Sequence, residues 1–362
     1  MAYRESYLEI DLSNIAYNIK SYQKKINKDI FAVIKANAYG LGDVEIAKVA
    51  IENNVKYLCV SSLDEAMSLR NNNIYFPILV LGYVNEEHLE IAKNYDITVS
   101  VTSLDWLEKS YLKLNGIKVH IKINTGMNRL GLNSIEEVKR AMKLLRNAEV
   151  EGIYSHLVIS DQKDNIMNEK QIAKFKSIYT EVDHCFKYVH IANSDAVFVD
   201  DSIFNAARIG IGLFGYSSDN KDIKSTVSLK TKVVNIQKCK KDDTIGYGMT
   251  YILNQDNYIA TLPIGYADGV LPNHQNETVY IGSNQAKIVG RICMDMMMIE
   301  VDRYYPLNTE VELFGENINL KEYAKRVNVI PYVILVTLSE RLMKKYYKKG
   351  EMVACKAPRF ER

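Results

Sequence analysis

Short apolar runs, each followed by a stretch whose apolar positions recur at helical spacing, run from the N-terminus to about Arg208. Tyr7–Ile10 is an opening strand, and Asp11 or Ser13 can cap a helix reaching about Lys25. Phe31–Lys35 reads as the next strand, and Val44–Asn53 as a helix with Ile46, Ala47, Ala50 and Ile51 on one face. The unit repeats as Tyr57–Val60 with Leu63–Arg70, Pro77–Leu81 with Glu86–Asn94, and Ile97–Val101 with Leu104–Leu114. Ile117–Ile123 with a helix from Ser134 to about Asn147 comes next, then Val150–His156 with a helix near Lys170–Phe186. Tyr188–Ala192 and a strand ending near Arg208 close the series. Repeated β-then-α units argue for a parallel sheet with crossover helices. About eight of them in roughly 215 residues favour a closed (β/α)8 TIM-type barrel. A doubly wound open sheet is the alternative, but no G-x-G-x-x-G turn follows the first strand.

The texture changes after about Ser225. Thr226–Ile236, Tyr258–Pro263, Thr278–Ile281, Ala286–Val289, Met296–Val301 and Thr309–Phe314 read as strands, punctuated by glycines. Asn319–Val327 and Ile330–Thr337 look different. The expected organisation is a barrel over residues 11–225 and a mostly β C-terminal domain over 226–362, joined by the strand in residues 1–10.

Composition narrows the partners. The 46 basic and 44 acidic residues nearly cancel, so no nucleic-acid or membrane footprint is implied. Lys344-Lys345 and Lys348-Lys349 read as solvated faces. No apolar stretch approaches the ~20 residues of a spanning helix, and the first residues lack a signal-peptide core. A cytoplasmic protein is the expectation. The five cysteines include no C-x-x-C pair and the histidines are scattered, so neither disulfides nor a metal site is expected.

The polar residues fall at strand ends. Lys35 ends one strand, Lys122, Asn124 and Arg129 lie at or after another, and His156 ends a third. Asn193 and Ser194 follow the strand Tyr188–Ala192, and Arg208-Ile-Gly-Ile-Gly212 ends the last. In a barrel these ends share the face that carries active sites. A buried lysine loses proton affinity and can form an imine. Ser194 and the amides around Gly210 and Gly212 can hold phosphate oxygens. Pyridoxal 5′-phosphate requires both features, and so would a phosphosugar aldolase working through a lysine imine. Each residue also has a plainer role: Lys35 could reach solvent, His156 could be a core histidine, and Arg208 could pair with a barrel-bottom carboxylate. Lys122 faces inward on an alternating strand, which is costly unless its charge is paired or removed.

Ala32-Val-Ile-Lys-Ala-Asn-Ala-Tyr-Gly40 resembles the cofactor-lysine motif of bacterial alanine racemases. The resemblance continues through His120-Ile-Lys-Ile-Asn-Thr-Gly-Met-Asn-Arg-Leu-Gly131, Arg208-Ile-Gly-Ile-Gly-Leu-Phe-Gly215 and Gly246-Tyr-Gly-Met-Thr-Tyr251. It ends in Leu262-Pro-Ile-Gly-Tyr-Ala-Asp-Gly269 and Val289-Gly-Arg-Ile-Cys-Met-Asp295. It implies a homodimeric, pyridoxal-phosphate-dependent enzyme of the fold type III class that interconverts L- and D-alanine and supplies D-alanine for peptidoglycan. By resemblance Lys35 would hold the cofactor and act as one base, with Tyr247 the other, reaching in from the partner subunit. Tyr39, Ser194, Gly210 and Ile211 would bind the phosphate, Asn193 would help fix the cofactor, and Arg208 would face the pyridine nitrogen. Arg129 would sit near the substrate carboxylate with the Met294 amide, and His156 would hydrogen-bond Tyr247. Tyr266 and Asp295 would line the mouth of the pocket. Lys122 matches a lysine that is carbamylated in many members. A tyrosine base needs cationic neighbours to ionise near neutral pH, and a His156–Arg208 grouping could supply them.

The sequence departs from the family pattern in places. Asn128 replaces a usual glycine and Asn124 a usual aspartate, while Pro272-Asn273 stand where many members carry arginines. Glu340 falls at a tyrosine that normally narrows the substrate pocket. Ser155–Asp161 is nearer to the serine racemase branch, which keeps serine or broad serine/alanine racemisation as the alternative substrate class. Rivals of other classes are a non-catalytic carrier of the same cofactor and a decarboxylase of the same fold type. The carrier lacks a β domain with a second-subunit tyrosine, and the decarboxylase needs room for a larger substrate.

Overall fold

The computed structural model describes residues 4–196 and 198–357. The first three and last five residues of the expected β domain therefore lie outside the described residues. The chain divides into two compact units. One comprises Ile15–Ala38 and Gly42–Lys224; the other comprises Met1–Asn14, Tyr39–Leu41 and Ser225–Arg362.

The first unit is a closed barrel. After β1 (Tyr7–Asp11), which belongs to the other unit, its strands are β2 (Asp29–Val33), β3 (Tyr57–Val60), β4 (Ile78–Val80) and β5 (Ile97–Val101). They continue as β6 (Lys118–Lys122), β7 (Glu149–Tyr154), β8 (Tyr188–His190) and β9 (Ala206–Ile209). All neighbours are parallel, and β2 closes the ring by pairing with both β3 and β9. All eight strands expected from the apolar runs are present. Several crossover helices start where the sequence supplies a cap. Ser62, Ser103 and Ser134 accept the amides of Glu65, Trp106 and Glu137, which satisfies donors a helix start leaves open.

Several boundaries differ from expectation. The helix placed near Lys170–Phe186 runs over Ile166–Tyr179, because the Asn165 carboxamide accepts the Met167 amide and starts it earlier. Strand β2 ends at Val33 and β7 at Tyr154, so Lys35 and His156 both lie two residues beyond strand ends.

Rings fill the barrel. Phe31, fully buried, packs on Tyr57 and Tyr188 at centroid distances of 4.9 and 5.0 Å and on His190 at 5.0 Å. Opposite, Gly152 makes room for His120: a Cβ there would meet the His120 Nδ1 at 2.5 Å.

The second unit holds a ten-stranded sheet and a two-stranded ribbon. Its strands are β10 (Val227–Lys232), β11 (Asn235–Cys239), β12 (Thr244–Ile245), β13 (Tyr251–Ile252) and β14 (Asn257–Leu262). They continue as β15 (Thr278–Ile281), β16 (Asn284–Val289), β17 (Met297–Val301), β18 (Glu310–Phe314), β19 (Met343–Lys348) and β20 (Glu351–Lys356). The order is β11-β14-β17-β16-β15-β18-β10-β1-β19-β20, with β12 and β13 as the ribbon. The single strand expected over Thr226–Ile236 is two, broken at Val233-Val234.

Strand β19 corrects the reading of Lys344-Lys345 as a solvated face, whereas Lys348 and Lys349 are exposed as expected. Lys344 is buried on β19, and the Lys345 ammonium lies 3.2 Å from the Tyr7 ring centroid. Met-Lys-Lys-Tyr-Tyr-Lys sets like residues side by side, so the alternating burial of Lys344 and Tyr346 does not show as an apolar pattern. Pairing with β1 and β20 on its two sides makes it a strand.

The ring stack generates a stability prediction. Phe31→Ala is expected to lower the unfolding free energy by about 3–5 kcal/mol. Urea titration followed by circular dichroism measures this, and a loss below about 1 kcal/mol would mean that the stack does not hold the barrel closed.

Candidate active site

Lys35 follows β2 after one residue, Ile34, whose amide is tied to the Cys59 carbonyl at 2.9 Å. From Ala36 the chain turns left-handed: Ala36, Asn37 and Ala38 have φ of 53°, 53° and 50°, and Tyr39 follows at 57°. Each non-glycine residue in this region costs about 1–2 kcal/mol. Local bonds hold the turn: Ala38 donates to the Ile34 carbonyl at 2.8 Å, Gly42 donates to the Asn37 carbonyl at 2.9 Å, and the Asn37 side chain accepts the Asp43 amide at 2.9 Å. Strain of this kind collects where a side chain must be aimed.

Arg208 on β9 is buried, and its acceptors among the described residues are neutral. Its Nη1 donates to His190 Nδ1 at 2.6 Å and to the His190 carbonyl at 3.3 Å. Its Nη2 donates to the carbonyls of Ser155 and Ile191 at 2.7 and 3.3 Å and to His156 Nδ1 at 3.1 Å. The guanidinium also lies 5.1 Å from the centroid of the Tyr154 ring. Among the described residues no carboxylate takes part, so the barrel-bottom ion pair is not the role Arg208 plays.

These contacts fix three tautomers. A guanidinium only donates, so His190 Nδ1 and His156 Nδ1 must both be unprotonated acceptors. His190 then carries its proton on Nε2 and gives it to His120 Nδ1 at 2.9 Å. His120 is left with a buried Nε2–H that has no hydrogen-bond partner among the described residues. Burial, aided by Arg208, holds His190 and His156 well below the usual histidine value, and burial pushes His120 down to about 3. His156 is therefore a neutral Nε2–H donor. The sequence-based expectation of a cationic His156–Arg208 grouping is corrected on this point: the charge resides on Arg208 alone.

Positive charge concentrates around Lys35. Burial and then Arg129 lower its proton affinity, and Glu65 raises it. Lys122, inward on β6 and buried, is lowered to about 7 by burial, then by Arg129, Arg208 and Lys35. Its ammonium lies 5.6 Å from the Tyr154 ring centroid. The arrangement calls for anions.

A cradle for one lies nearby in the sequence of strand ends. The Ser194 hydroxyl accepts the amides of Gly210 and Gly212 at 3.0 and 3.1 Å, so two N–H groups converge on one oxygen. Gly212 is required because a Cβ there would collide with the Tyr22 hydroxyl. Converging amides beside a serine suit a phosphate oxygen, and an amine of reduced proton affinity suits an aldehyde. The residues present fit a phosphorylated aldehyde cofactor. Asn193 donates to the Ser160 hydroxyl at 2.8 Å, linking this segment to the loop after β7.

The β-rich unit carries the remaining expected site residues. Tyr247, Tyr266, Met294 and Asp295 line one open cavity of about 650 Å³ together with Arg291. Tyr247 is 72% exposed, and Met294 and Tyr266 are exposed beside it. Asp295 accepts from Arg341 at 2.6 Å, and Arg341 also reaches the buried Asp268, which Arg4 grips with both Nη atoms. Glu340 is exposed on the segment before β19, and Tyr39 packs on Tyr332 at 5.8 Å; neither lines that cavity.

Sequence reasoning missed two residues and left one pair unexplained. Gln171, fully buried, donates to the His156 carbonyl and to Thr125 and accepts the Val158 amide, so it fixes two site loops at once. His190 was hidden inside an ordinary apolar strand. The two asparagine departures explain each other. Asn128 sits at φ 57°, a conformation asparagine tolerates better than other side chains. Asn124 accepts the amides of Gly126 and Asn128 and donates to the side chains of Asn128 and Asn133. An aspartate could not make the two donations.

Comparison with known proteins gives a consistent result. The chain matches the alanine racemase N-terminal domain over residues 10–218 and the alanine racemase C-terminal domain over residues 226–346. Alanine racemase 1 of Bacillus subtilis is 36% identical over 98% of this chain and 96% of its own length. The alanine racemase of Streptococcus agalactiae is 38% identical, covering 93% of this chain and 97% of its own. The crystal structure of the Bacillus anthracis alanine racemase with bound L-Ala-P superposes with a TM-score of 0.92 at 34% identity, covering 98% of both chains.

The neutral histidines set a pH dependence. In the unfolded chain each takes up a proton below about pH 6.5, whereas folded His120 does so only near pH 3. The unfolded state binds more protons throughout that interval, so stability falls as pH drops through it. Urea midpoints are expected to decrease between pH 7 and pH 5, above the range where carboxylates titrate; a flat profile there would contradict the assigned tautomers.

Proposed function

The chain belongs to the alanine racemase family and is an isomerase of that type; from this premise we propose that it interconverts L- and D-alanine by a two-base proton transfer using Lys35, Tyr247 and pyridoxal 5′-phosphate. The observation that carries the reading is the barrel end itself. A lysine of lowered proton affinity, a buried arginine and a pair of amides converging on Ser194 sit on the strand ends of one barrel.

Ser194 and the amides of Gly210 and Gly212 would hold the phosphate, and Arg208 would face the pyridine nitrogen. The cofactor supplies the electron sink that makes the substrate Cα–H acidic. Arg208 presents a fixed charge there: its two Nη atoms are already engaged by protein acceptors, and guanidinium gives up a proton far less readily than a carboxylic acid. Lys35 Nζ takes or delivers the Cα proton on one face and Tyr247 Oη does so on the other, which is what inversion requires. The neutral His156 presents Nε2–H, a donor suited to the Tyr247 oxygen when it has lost its proton. Arg129 and the Met294 amide are the proposed carboxylate contacts.

Tyr247 cannot act as a controlled base while mostly exposed, because water would exchange its proton. A second copy of the chain covering the Tyr247 surface would supply the dry environment, so the active form is a homodimer with shared sites. The D-alanine formed is proposed to serve peptidoglycan synthesis.

Racemisation of alanine and serine in both directions tests the reading. Wild-type enzyme is expected to turn over alanine faster than serine, and Tyr247→Phe to lose about 10²–10⁴-fold in kcat. Full activity of Tyr247→Phe in both directions would refute the two-base assignment.

Lys122 carries a second prediction. An amine titrating near pH 7 has a free lone pair that can bond to the carbon of CO2, releasing one proton and leaving a carbamate. That anion would answer Arg129. Carbon-13 NMR of enzyme equilibrated with labelled bicarbonate is expected to show a carbamate resonance that disappears in Lys122→Ala; no such resonance at pH 8 would remove carbamylation from the reading.

A further inference from the structure

Ser62-Leu-Asp-Glu65 opens the helix Leu63–Asn71 and has the sequence of a capping box, in which the glutamate returns to the Ser62 amide. Only half of that box is made, with Ser62 Oγ accepting the Glu65 amide at 3.3 Å. The carboxylate is used elsewhere. Its Oε2 accepts the Ser61 amide at 2.7 Å, just past β3, and its Oε1 accepts the Ala36 amide at 2.8 Å. Ala36 is the residue after Lys35 and the first of the left-handed turn. One side chain thus staples the start of a strained turn to the end of the neighbouring strand.

The charge of that side chain is also placed to matter. The charged groups that act on Lys35 are Arg129 from the loop after β6 and Glu65 from this helix, and Lys35 in turn bears on Lys122 of β6 and on His156 beyond β7. Among them the carboxylate alone is negative, and it alone favours the protonated amine; the histidine is neutral. We propose that Glu65 is a positioning residue for Lys35: its bridge between Ala36 and Ser61 aims the lysine, and its charge offsets the cations around the amine. The inference rests on Lys35 being one of the two bases. Without Glu65 the lysine would lose its orientation and release its proton too easily, so proton return to the substrate would slow.

The test uses the full-length chain freed of cofactor with hydroxylamine. Brief acetic anhydride labelling across pH 6–10, read by peptide mass spectrometry, follows Lys35 relative to the exposed Lys238. Glu65→Gln keeps the size and one acceptor but loses the charge and the second acceptor. Lys35 is expected to label about threefold or more faster at the low end of that range, and kcat of the reloaded enzyme to fall in both directions with KM little changed. Glu65→Asp keeps the charge but is too short to bridge both amides; it is expected to restore most of the labelling profile while kcat stays low. If Glu65→Gln does not fold by circular dichroism, the Glu65→Asp kcat decides: a wild-type value overturns the proposal and a lowered one supports it. An unchanged Lys35 profile in folded Glu65→Gln overturns the electrostatic role, whatever happens to activity. Failure of the wild-type enzyme to racemise any amino acid would instead strike the functional reading, since the labelling result does not depend on turnover.

Discussion

A guanidinium held inside a barrel by neutral groups is the constraint from which much of the site follows. Transfer of such a charge from water is expensive unless hydrogen bonds replace the lost hydration. Arg208 receives three backbone carbonyls, two imidazole nitrogens and the face of Tyr154. The imidazoles can serve only by giving up their Nδ1 protons, so one buried cation dictates the protonation of His156 and His190 and, through His190, of His120. Tyr154 is held in turn: it stacks on His190 with the rings 5° from parallel and hydrogen-bonds Ser100 at 2.8 Å. Five strands of the barrel thus meet in one polar chain whose donors and acceptors leave little freedom.

The same charge, with Lys35, Lys122 and Arg129, explains why anions belong at this end of the barrel. Like charges in a partly desolvated space repel, and Lys122 yields first because each of the other three acts on it. An amine that gives up its proton near neutrality relieves the repulsion, and conversion to an anion would relieve it further. Phosphate and substrate carboxylate act in the same direction. Binding energy in such a site comes in part from repulsion already present in the free protein.

Much of this was legible in the sequence because a barrel places strand ends together, and strand ends show as the polar residue after an apolar run. Lys122, His156, Ser194 and Arg208 were found that way. What the periodicity could not carry was conformation and proton position. Little in Ala-Asn-Ala-Tyr announces a left-handed turn, since of these residues only the asparagine favours it. His190 sits in Tyr-Val-His, an ordinary strand, and its importance emerges only when β9 brings Arg208 beside it. Its inward partner His120 was visible on the alternating strand Lys118–Lys122, and two inward histidines could have prompted the question of what they share. Lys344 was misread for the opposite reason: charge density was taken as exposure, although strand pairing on both sides buries it.

Lys35 shows how the opposing demands are balanced. A base must be unprotonated when the Cα proton leaves and protonated when one returns, so its proton affinity has to lie between extremes. Burial and Arg129 push it down; left to these alone, the amine would accept a proton poorly and hold it briefly. Removing the cations would relieve only part of this, since burial is the larger cause, and the same cations are the proposed contacts of phosphate and carboxylate. The remaining adjustment is a carboxylate within electrostatic reach but outside contact distance, close enough to favour the ammonium and too far to trap it in an ion pair. Glu65 occupies that position because its oxygens are already committed to two backbone amides. Those two bonds do the orienting, which leaves the charge free to tune the neighbouring amine without capturing it.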